Sequence, residues 1–280
     1  MKIEQRHYDI LGTVLFDLFM LWAILEFSLG GWENAKRLYA SWLSHGGWVA
    51  TRGWILIGVL ILLTLIKSNY KRDVPVFLST FILAYWGEWW GTTRGVWRYF
   101  GNETPPLYIV FLWGISTITV YHLYLLLRGK EKKTENKYRT WIQMSILLAL
   151  PVIGLAFTWQ GLVRVELMKY VDIHPIAGII VTLVLILKNF DWDESFWIFV
   201  CGTLLGGLYE YHGTASGGWE YITGRGLPLL IAPLWGFACI AMIKLGSLMR
   251  EGFSRAVLLL RSKSLPETSF SPPDDLKGRG

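Results

Sequence analysis

Residues Glu88–Gly114 read EWWGTTRGVWRYFGNETPPLYIVFLWG, and 122 positions further on residues Glu210–Gly236 read EYHGTASGGWEYITGRGLPLLIAPLWG. Without a gap the two stretches agree at 12 of 27 positions. The matches begin with Glu88/Glu210, Gly91/Gly213, Thr92/Thr214, Gly95/Gly217, Trp97/Trp219 and Tyr99/Tyr221. They continue through Pro106/Pro228, Leu107/Leu229, Ile109/Ile231 and Leu112/Leu234 to Trp113/Trp235 and Gly114/Gly236. Self-similarity at a fixed offset marks a duplicated structural unit. Tryptophan is too rare for two aligned pairs to be coincidence.

Outward from this repeat the chain is apolar. The apolar set makes up 53% of 280 residues, mean hydropathy is +0.38 and 17% of residues are charged, against about 25% in an ordinary soluble domain. A bilayer core asks for roughly 20 mostly apolar helical residues. Eight segments meet that approximately: 10–29, 49–67, 74–92, 106–127, 140–159, 171–188, 195–212 and 227–247. The second and sixth do so only by taking in polar residues at an end. The expected fold is therefore an all-α integral membrane protein with about eight transmembrane helices. The offset maps the third and fourth spans onto the seventh and eighth. Four spans per repeat is an even number, so the halves keep one orientation and are related by an axis along the membrane normal. The expected divisions are residues 1–139 (first repeat with a basic loop), 140–249 (second repeat), and 250–280 (an amphipathic segment on the inner leaflet, then a disordered tail).

Basic residues orient the chain, because short Lys- and Arg-rich loops stay in the cytoplasm. With the N-terminus inside, 17 basic residues fall on the inner side and 8 on the outer. Both termini are thus expected to be cytoplasmic, and the repeated motif to lie at the outer face. The apolar stretch from Ile10 lacks a small-residue cleavage pattern and reads as a first span, not a removable signal. The net charge of +6 is spread between apolar runs, so a nucleic-acid partner is not expected. Cys201 and Cys239 lie in apolar runs and suggest neither a disulfide framework nor a metal site.

On a helix, Glu88, Gly91, Thr92 and Gly95 share one face, as do Glu210, Gly213, Thr214 and Gly217. A small-residue stripe admits another backbone closely, and dense glycine at a helix end equally suits local unwinding at a binding site. An ionisable residue at membrane depth costs about 2.5–3.5 kcal/mol on insertion scales, which makes a functional reading the default. The competing reading pairs each glutamate with an arginine, Arg94, Arg98 or Arg225, as a purely structural strut.

Glu88, Glu210 and His212 are the candidate catalytic residues; His212 stands where the first copy has Trp90. Trp97, Tyr99, Trp219 and Tyr221 are candidate ligand-lining residues, because an interfacial aromatic belt does not demand matched positions. Arg94, Arg98 and Glu26 complete the candidate substrate-binding set. Asp17 reads as the most deeply placed acid, held either by function or by a neighbouring helix. His122 falls too far inward to join the glutamates, and Asp172 reads as a helix cap beside His174. No HxxxH or HExxH spacing occurs, and neither a metal nor a cofactor is expected.

The motif E-x2-G-T-x2-G-x-W-x-Y, followed by Pro-Leu and Trp-Gly, resembles the membrane-bound carotenoid hydratase family and, more loosely, the membrane terpene cyclases. The resemblance covers Glu88–Gly114 and Glu210–Gly236. It departs from the hydratase pattern at Val96-Trp97-Arg98 and in occurring twice. It implies acid–base chemistry on an isoprenoid, one glutamate protonating a double bond and the other accepting a proton. Two other classes stay open beside it. A carrier of a lipid or apolar ligand would suit parallel repeats, and a membrane scaffold would need no ligand.

Overall fold

A computed structural model describes residues 2–24, 26, 48–99, 103–128, 137–164, 172–188, 191–215, 219–223 and 229–264. Eight helices appear among them: α1 (Lys2–Ala23), α2 (Trp48–Leu65), α3 (Tyr70–Thr93), α4 (Leu107–Arg128), α5 (Lys137–Arg164), α6 (Ile173–Leu187), α7 (Trp192–Ala215) and α8 (Ile231–Ser264). Two short strands, β1 (Trp97–Tyr99) and β2 (Trp219–Tyr221), follow α3 and α7. The expected disordered tail beyond Ser264, and Arg225, lie outside the described residues.

Among the described residues the secondary structure is all helical apart from that ribbon. Two described helices combine the length and apolar content of a membrane span: Leu107–Arg128, with mean hydropathy 1.7, and Ile231–Leu258, with 1.6. Thr140–Ile153 and Ile173–Leu187 are apolar but shorter. The eight spans expected from sequence thus reduce to two by length and composition alone. For three of the helices the reason is visible in their charges. α1 carries Lys2, Glu4, Arg6, Asp9 and Asp17, α3 carries Lys71, Arg72, Asp73 and Glu88, and α7 carries Asp193, Glu194 and Glu210.

The centre is a four-helix core. α3 packs on α4 and α7 on α8, while α3 also meets α8 and α4 meets α7. Around it, α1 leans on α3 as α5 leans on α7, and α2 leans on α4 as α6 leans on α8. Each of these pairings has its counterpart in the other half. Val76 and Phe77 of α3, Ile115 and Ile118 of α4, Phe196 and Phe199 of α7, and Ile240 and Ile243 of α8 fill the interior. Close approach is built into α4 and α8 at matched glycines. A Cβ on Gly114 would come within 2.6 Å of Phe77, and one on Gly236 within 2.6 Å of Phe199. Phe77 and Phe199 are themselves 122 positions apart.

Helix starts follow local chemistry. Asn69 caps α3 by accepting from the Lys71 amide at 3.1 Å. Asp172 caps α6 by accepting from the His174 amide at 2.9 Å, which satisfies an amide that lacks an intrahelical partner. At the other end, residues 250–264 continue α8 and do not form a separate surface-lying helix. At 1.5 Å per residue the 34 residues of α8 extend about 51 Å, well past a hydrocarbon core of about 30 Å. Phe253, Val257 and Leu258 on this extension are exposed.

Candidate functional site

α3 does not unwind at its glycines. It runs to Thr93, turns through Gly95 at φ 69°, and the Val96 amide bonds back to the Gly91 carbonyl at 2.8 Å. That turn folds β1 back along the helix end. The glycine stripe serves the returning chain and not a neighbouring helix: a Cβ on Gly91 would sit inside the Trp97 indole, and one on Gly213 inside the Trp219 indole.

β1 and β2 then pair antiparallel, Trp97 opposite Tyr221, Arg98 opposite Glu220 and Tyr99 opposite Trp219. Arg98 and Glu220 are repeat equivalents, so a local two-fold passes between them. A self-complementary contact of this kind is what two-fold symmetry produces. Both strands follow their helices within a few residues and join one ribbon, so α3 and α7 end at the same end of the bundle and run in the same direction.

Each glutamate is the hub of its copy. Glu88 is 5% exposed and Glu210 6%. The Trp97 indole donates to Glu88 Oε2 at 2.9 Å, the Trp113 indole to Oε1 at 2.8 Å, and the Tyr99 hydroxyl to both oxygens at 3.0 and 3.2 Å. In the second copy the Trp219 indole donates to Glu210 Oε2 at 2.9 Å, the Trp235 indole to Oε1 at 2.8 Å and the Tyr221 hydroxyl to Oε2 at 2.6 Å. The helix beneath is also repeated: Thr92 Oγ1 donates to the Glu88 carbonyl at 2.6 Å and Thr214 Oγ1 to the Glu210 carbonyl at 2.7 Å. A buried carboxylate costs a great deal unless its lone pairs are occupied, and here indole and phenol donors occupy them. No arginine does so among the described residues.

The aromatics cross the two-fold as well. Trp97 meets Tyr221 with centroids 6.3 Å apart, and Tyr99 meets Trp219 at 5.7 Å. The two hubs form one aromatic plug.

An apolar cavity of about 240 Å³ borders only the first hub among the described residues. Glu88, Trp90, Trp97 and Trp113 line one side, and His174 and Gly178 of α6 face them. Of the residues expected to line a shared cavity, Trp97 does so, whereas Tyr99, Trp219 and Tyr221 are absent from its wall and serve the hubs. Glu26 is exposed and lies outside this wall, and His212 is partly buried on α7 and also outside it. Arg94 reaches neither glutamate. It pairs with Asp172 at 2.6 Å, and Asp172 also meets His174 Nδ1 at 3.1 Å while the His174 ring packs on Trp89 at 5.3 Å. These contacts tie α6 to the end of α3 at the cavity. Arg98 is exposed on the ribbon.

A second polar cluster, at the opposite end of α3, escaped the sequence reading. Asp73 and His122 are each 0% exposed and meet at 3.1 Å, with Arg72 bonded to both. Asp17 is only half-buried and accepts from Ser68, so Asp73 and not Asp17 is the most deeply placed inner acid. The repeat offered no signal, since Asp73 aligns with Ser195 and His122 with Lys244. No cluster of three potential metal ligands occurs among the described residues.

No family model, curated protein or solved structure matches this chain.

Proposed function

We propose that this is a multi-pass membrane protein of two parallel four-helix repeats, both termini cytoplasmic, that holds an apolar molecule of the lipid or isoprenoid class beside Glu88. The polarity of the bundle supports the membrane reading. Leu148, Ile173 and Leu187 are 68%, 70% and 70% exposed, while Thr117, Thr119, Asp73 and His122 are fully buried. Large exposed apolar surfaces mark membrane or partner contact, and in lipid polar groups must be satisfied internally. The 17-to-8 distribution of basic residues supports the orientation.

The observation that carries the ligand reading is the cavity beside Glu88, whose apolar, tryptophan-lined wall among the described residues does not include Glu210. At about 30 Å³ per water-sized group the space takes one end of a longer molecule. Ligand sites are typically concave and mostly apolar, with few polar groups placed in them. Both Glu88 oxygens already accept N–H or O–H bonds, an arrangement suited to a base or to the counter-charge of a cationic centre. In the acid–base chemistry that the hydratase resemblance implies, the accepting role therefore falls to Glu88. Glu210 belongs to the plug. A scaffold without a ligand is the second reading, favoured by the complete bonding of both carboxylates.

Native mass spectrometry of protein purified in mild detergent tests this. A Cβ on Gly178 meets nothing within 4 Å, so Gly178→Leu fills the cavity without a backbone clash. The wild type should carry a lipid or isoprenoid that Gly178→Leu loses at unchanged melting temperature and that Ala241→Leu, at a buried position of the wall, also loses. Equal occupancy in all three, or none in the wild type, favours the scaffold.

A further inference from the structure

We propose that the molecule held beside Glu88 carries a neutral oxygen at one end (a hydroxyl, ether or carbonyl) that accepts a hydrogen bond from the Trp90 indole; this rests on the reading of the cavity as a ligand site. Trp90 lines the cavity, and its Nε1 is buried without a hydrogen-bond partner among the described residues. The neighbouring indoles of Trp97 and Trp113 are committed, donating to Glu88 at 2.9 and 2.8 Å. A buried donor with no acceptor costs about as much as a lost hydrogen bond, and lipid brings no water to meet it. The Trp90 ring meets Trp97 with centroids 6.0 Å apart and planes at 68°. That contact anchors the ring and supplies no oxygen or nitrogen acceptor.

The wall is graded along the helix axes, which gives the bound molecule a direction. Leu83, Gly87 and Trp90 are spaced i, i+4, i+7 and share one face of α3, and all three line the cavity. Trp90 lies in the last turn of that helix, which ends at Thr93. Leu83 lies about 10 Å deeper at 1.5 Å per residue. On α6 the polar end is the same, since the His174 ring packs on Trp89. Glu88, His174 and the Trp90 nitrogen therefore gather at the ribbon end, while Leu83 and Met242, with Thr182 beside them, line the deeper part. The oxygen belongs at Trp90 and the hydrocarbon chain runs toward Met242.

The charges around the cavity require that oxygen to be neutral. Glu88 accepts from three donors, Trp97, Tyr99 and Trp113, an arrangement that holds a carboxylate, and a carboxylate repels an anion beside it. No lysine or arginine lines the cavity among the described residues. Arg94, at the same end, is paired with Asp172 at 2.6 Å, and Asp172 also engages His174 Nδ1 at 3.1 Å. A carboxylate or phosphate head would meet repulsion without a counter-charge. The donor also belongs to one copy: Trp90 aligns with His212, which lies outside this wall.

Competition between matched probes tests this on the full-length protein in mild detergent. Farnesyl methyl ether is mixed in equal amount with the hydrocarbon in which a CH2 group replaces the ether oxygen. Mass spectrometry of the extracted protein, after free probe is removed, gives the retained ratio, referred to the ratio in protein-free micelles. The wild type should favour the ether about tenfold, the discrimination of one hydrogen bond to a buried donor. Trp90→Phe keeps an aromatic ring but removes the N–H, and should return the ratio to that of the micelles while the hydrocarbon is still retained. Gly178→Leu should lose both probes. Farnesoic acid, anionic at neutral pH, should be retained no better than the hydrocarbon. An even ratio in the wild type, an undiminished preference in Trp90→Phe or Gly178→Leu, or preferential retention of the acid overturns the proposal and leaves the ligand reading standing. Retention of no probe at all overturns both. If Trp90→Phe does not fold, the wild-type ratio decides alone: a tenfold preference supports the proposal and an even ratio overturns it.

Discussion

Trp113 and Trp235 stack face to face with centroids 3.6 Å apart and planes 10° from parallel, and each gives its indole N–H to a different glutamate. The pair sits where the two copies of the repeat meet. It links Glu88 to Glu210 through a ring contact in place of a shared ion or an arginine. Stacked aromatics contribute about 0.5–1.5 kcal/mol beyond their burial, and here each ring is also fixed by its hydrogen bond.

The two hubs should therefore be energetically coupled. Trp113→Phe and Trp235→Phe each remove one donor and leave a carboxylate oxygen short of a partner, a loss of about 1–3 kcal/mol. Thermal unfolding in detergent should show the double variant departing from additivity by about 0.5–1.5 kcal/mol. Strict additivity would mean that the stack carries no coupling.

The glycines give a sharper contrast. Gly91→Ala and Gly213→Ala place a methyl group where an indole lies, which should expel Trp97 or Trp219 from its glutamate. Gly87→Ala meets nothing within 4 Å and should gain about 0.5–1 kcal/mol from helix propensity alone. Melting temperatures of the three variants check this; equal effects at positions 87 and 91 would refute the seating of the indole.

Much of this architecture was legible as repetition. Glu, Trp, Tyr and Trp recur at identical offsets, 88–97–99–113 and 210–219–221–235, and that quartet is the bonding unit. Reading its aromatics as a ligand wall left out their bonds to the glutamates, for a local reason. A three-residue strand is too short to show alternation, so the fold-back after Gly95 that brings Trp97 and Tyr99 onto Glu88 left no periodic trace. The strut reading offers Arg94 as one possible partner of the glutamates on proximity in sequence, yet its partner Asp172 is 78 residues away. The inner cluster leaves no trace in the repeat, since Asp73 and His122 align with the chemically unlike Ser195 and Lys244. Span assignment suffered from the converse problem. Helices α3 and α7 carry Glu88 and Glu210 besides their first-turn charges, and those charges lower the apolar content by which a span is recognised.

Orientation can be checked with single cysteines, because the native thiols Cys201 and Cys239 are 1% and 0% exposed and give little background. Glu103 precedes α4 near the ribbon end, and Glu251 lies on the α8 extension; both are exposed. In whole cells an impermeant maleimide should label Glu103→Cys directly and Glu251→Cys only after permeabilisation. The reverse pattern would invert the proposed topology.

The decisive comparison is between the two glutamates, because their bonding is alike and, among the described residues, the cavity wall includes only Glu88. Gln keeps the shape of each side chain but turns one acceptor oxygen into an N–H donor. In both copies that donor would confront an indole or phenol donor, since Trp97 or Trp219 faces one oxygen and Trp113 or Trp235 the other. Glu88→Gln and Glu210→Gln should therefore lose similar stability, about 1–3 kcal/mol for one buried donor left without an acceptor. That is less than the roughly 3–5 kcal/mol expected on breaking a buried ion pair; among the described residues no arginine bonds to either hub. Ligand retention should separate the variants where stability does not. If Glu88 acts on a molecule in the adjoining cavity, Glu88→Gln should lose or mis-hold that molecule, while Glu210→Gln retains it at temperatures below its own melting point. Native mass spectrometry run beside thermal unfolding reads both quantities on one sample. Equal retention with equal destabilisation would make both acids parts of the plug, and the scaffold reading would then stand.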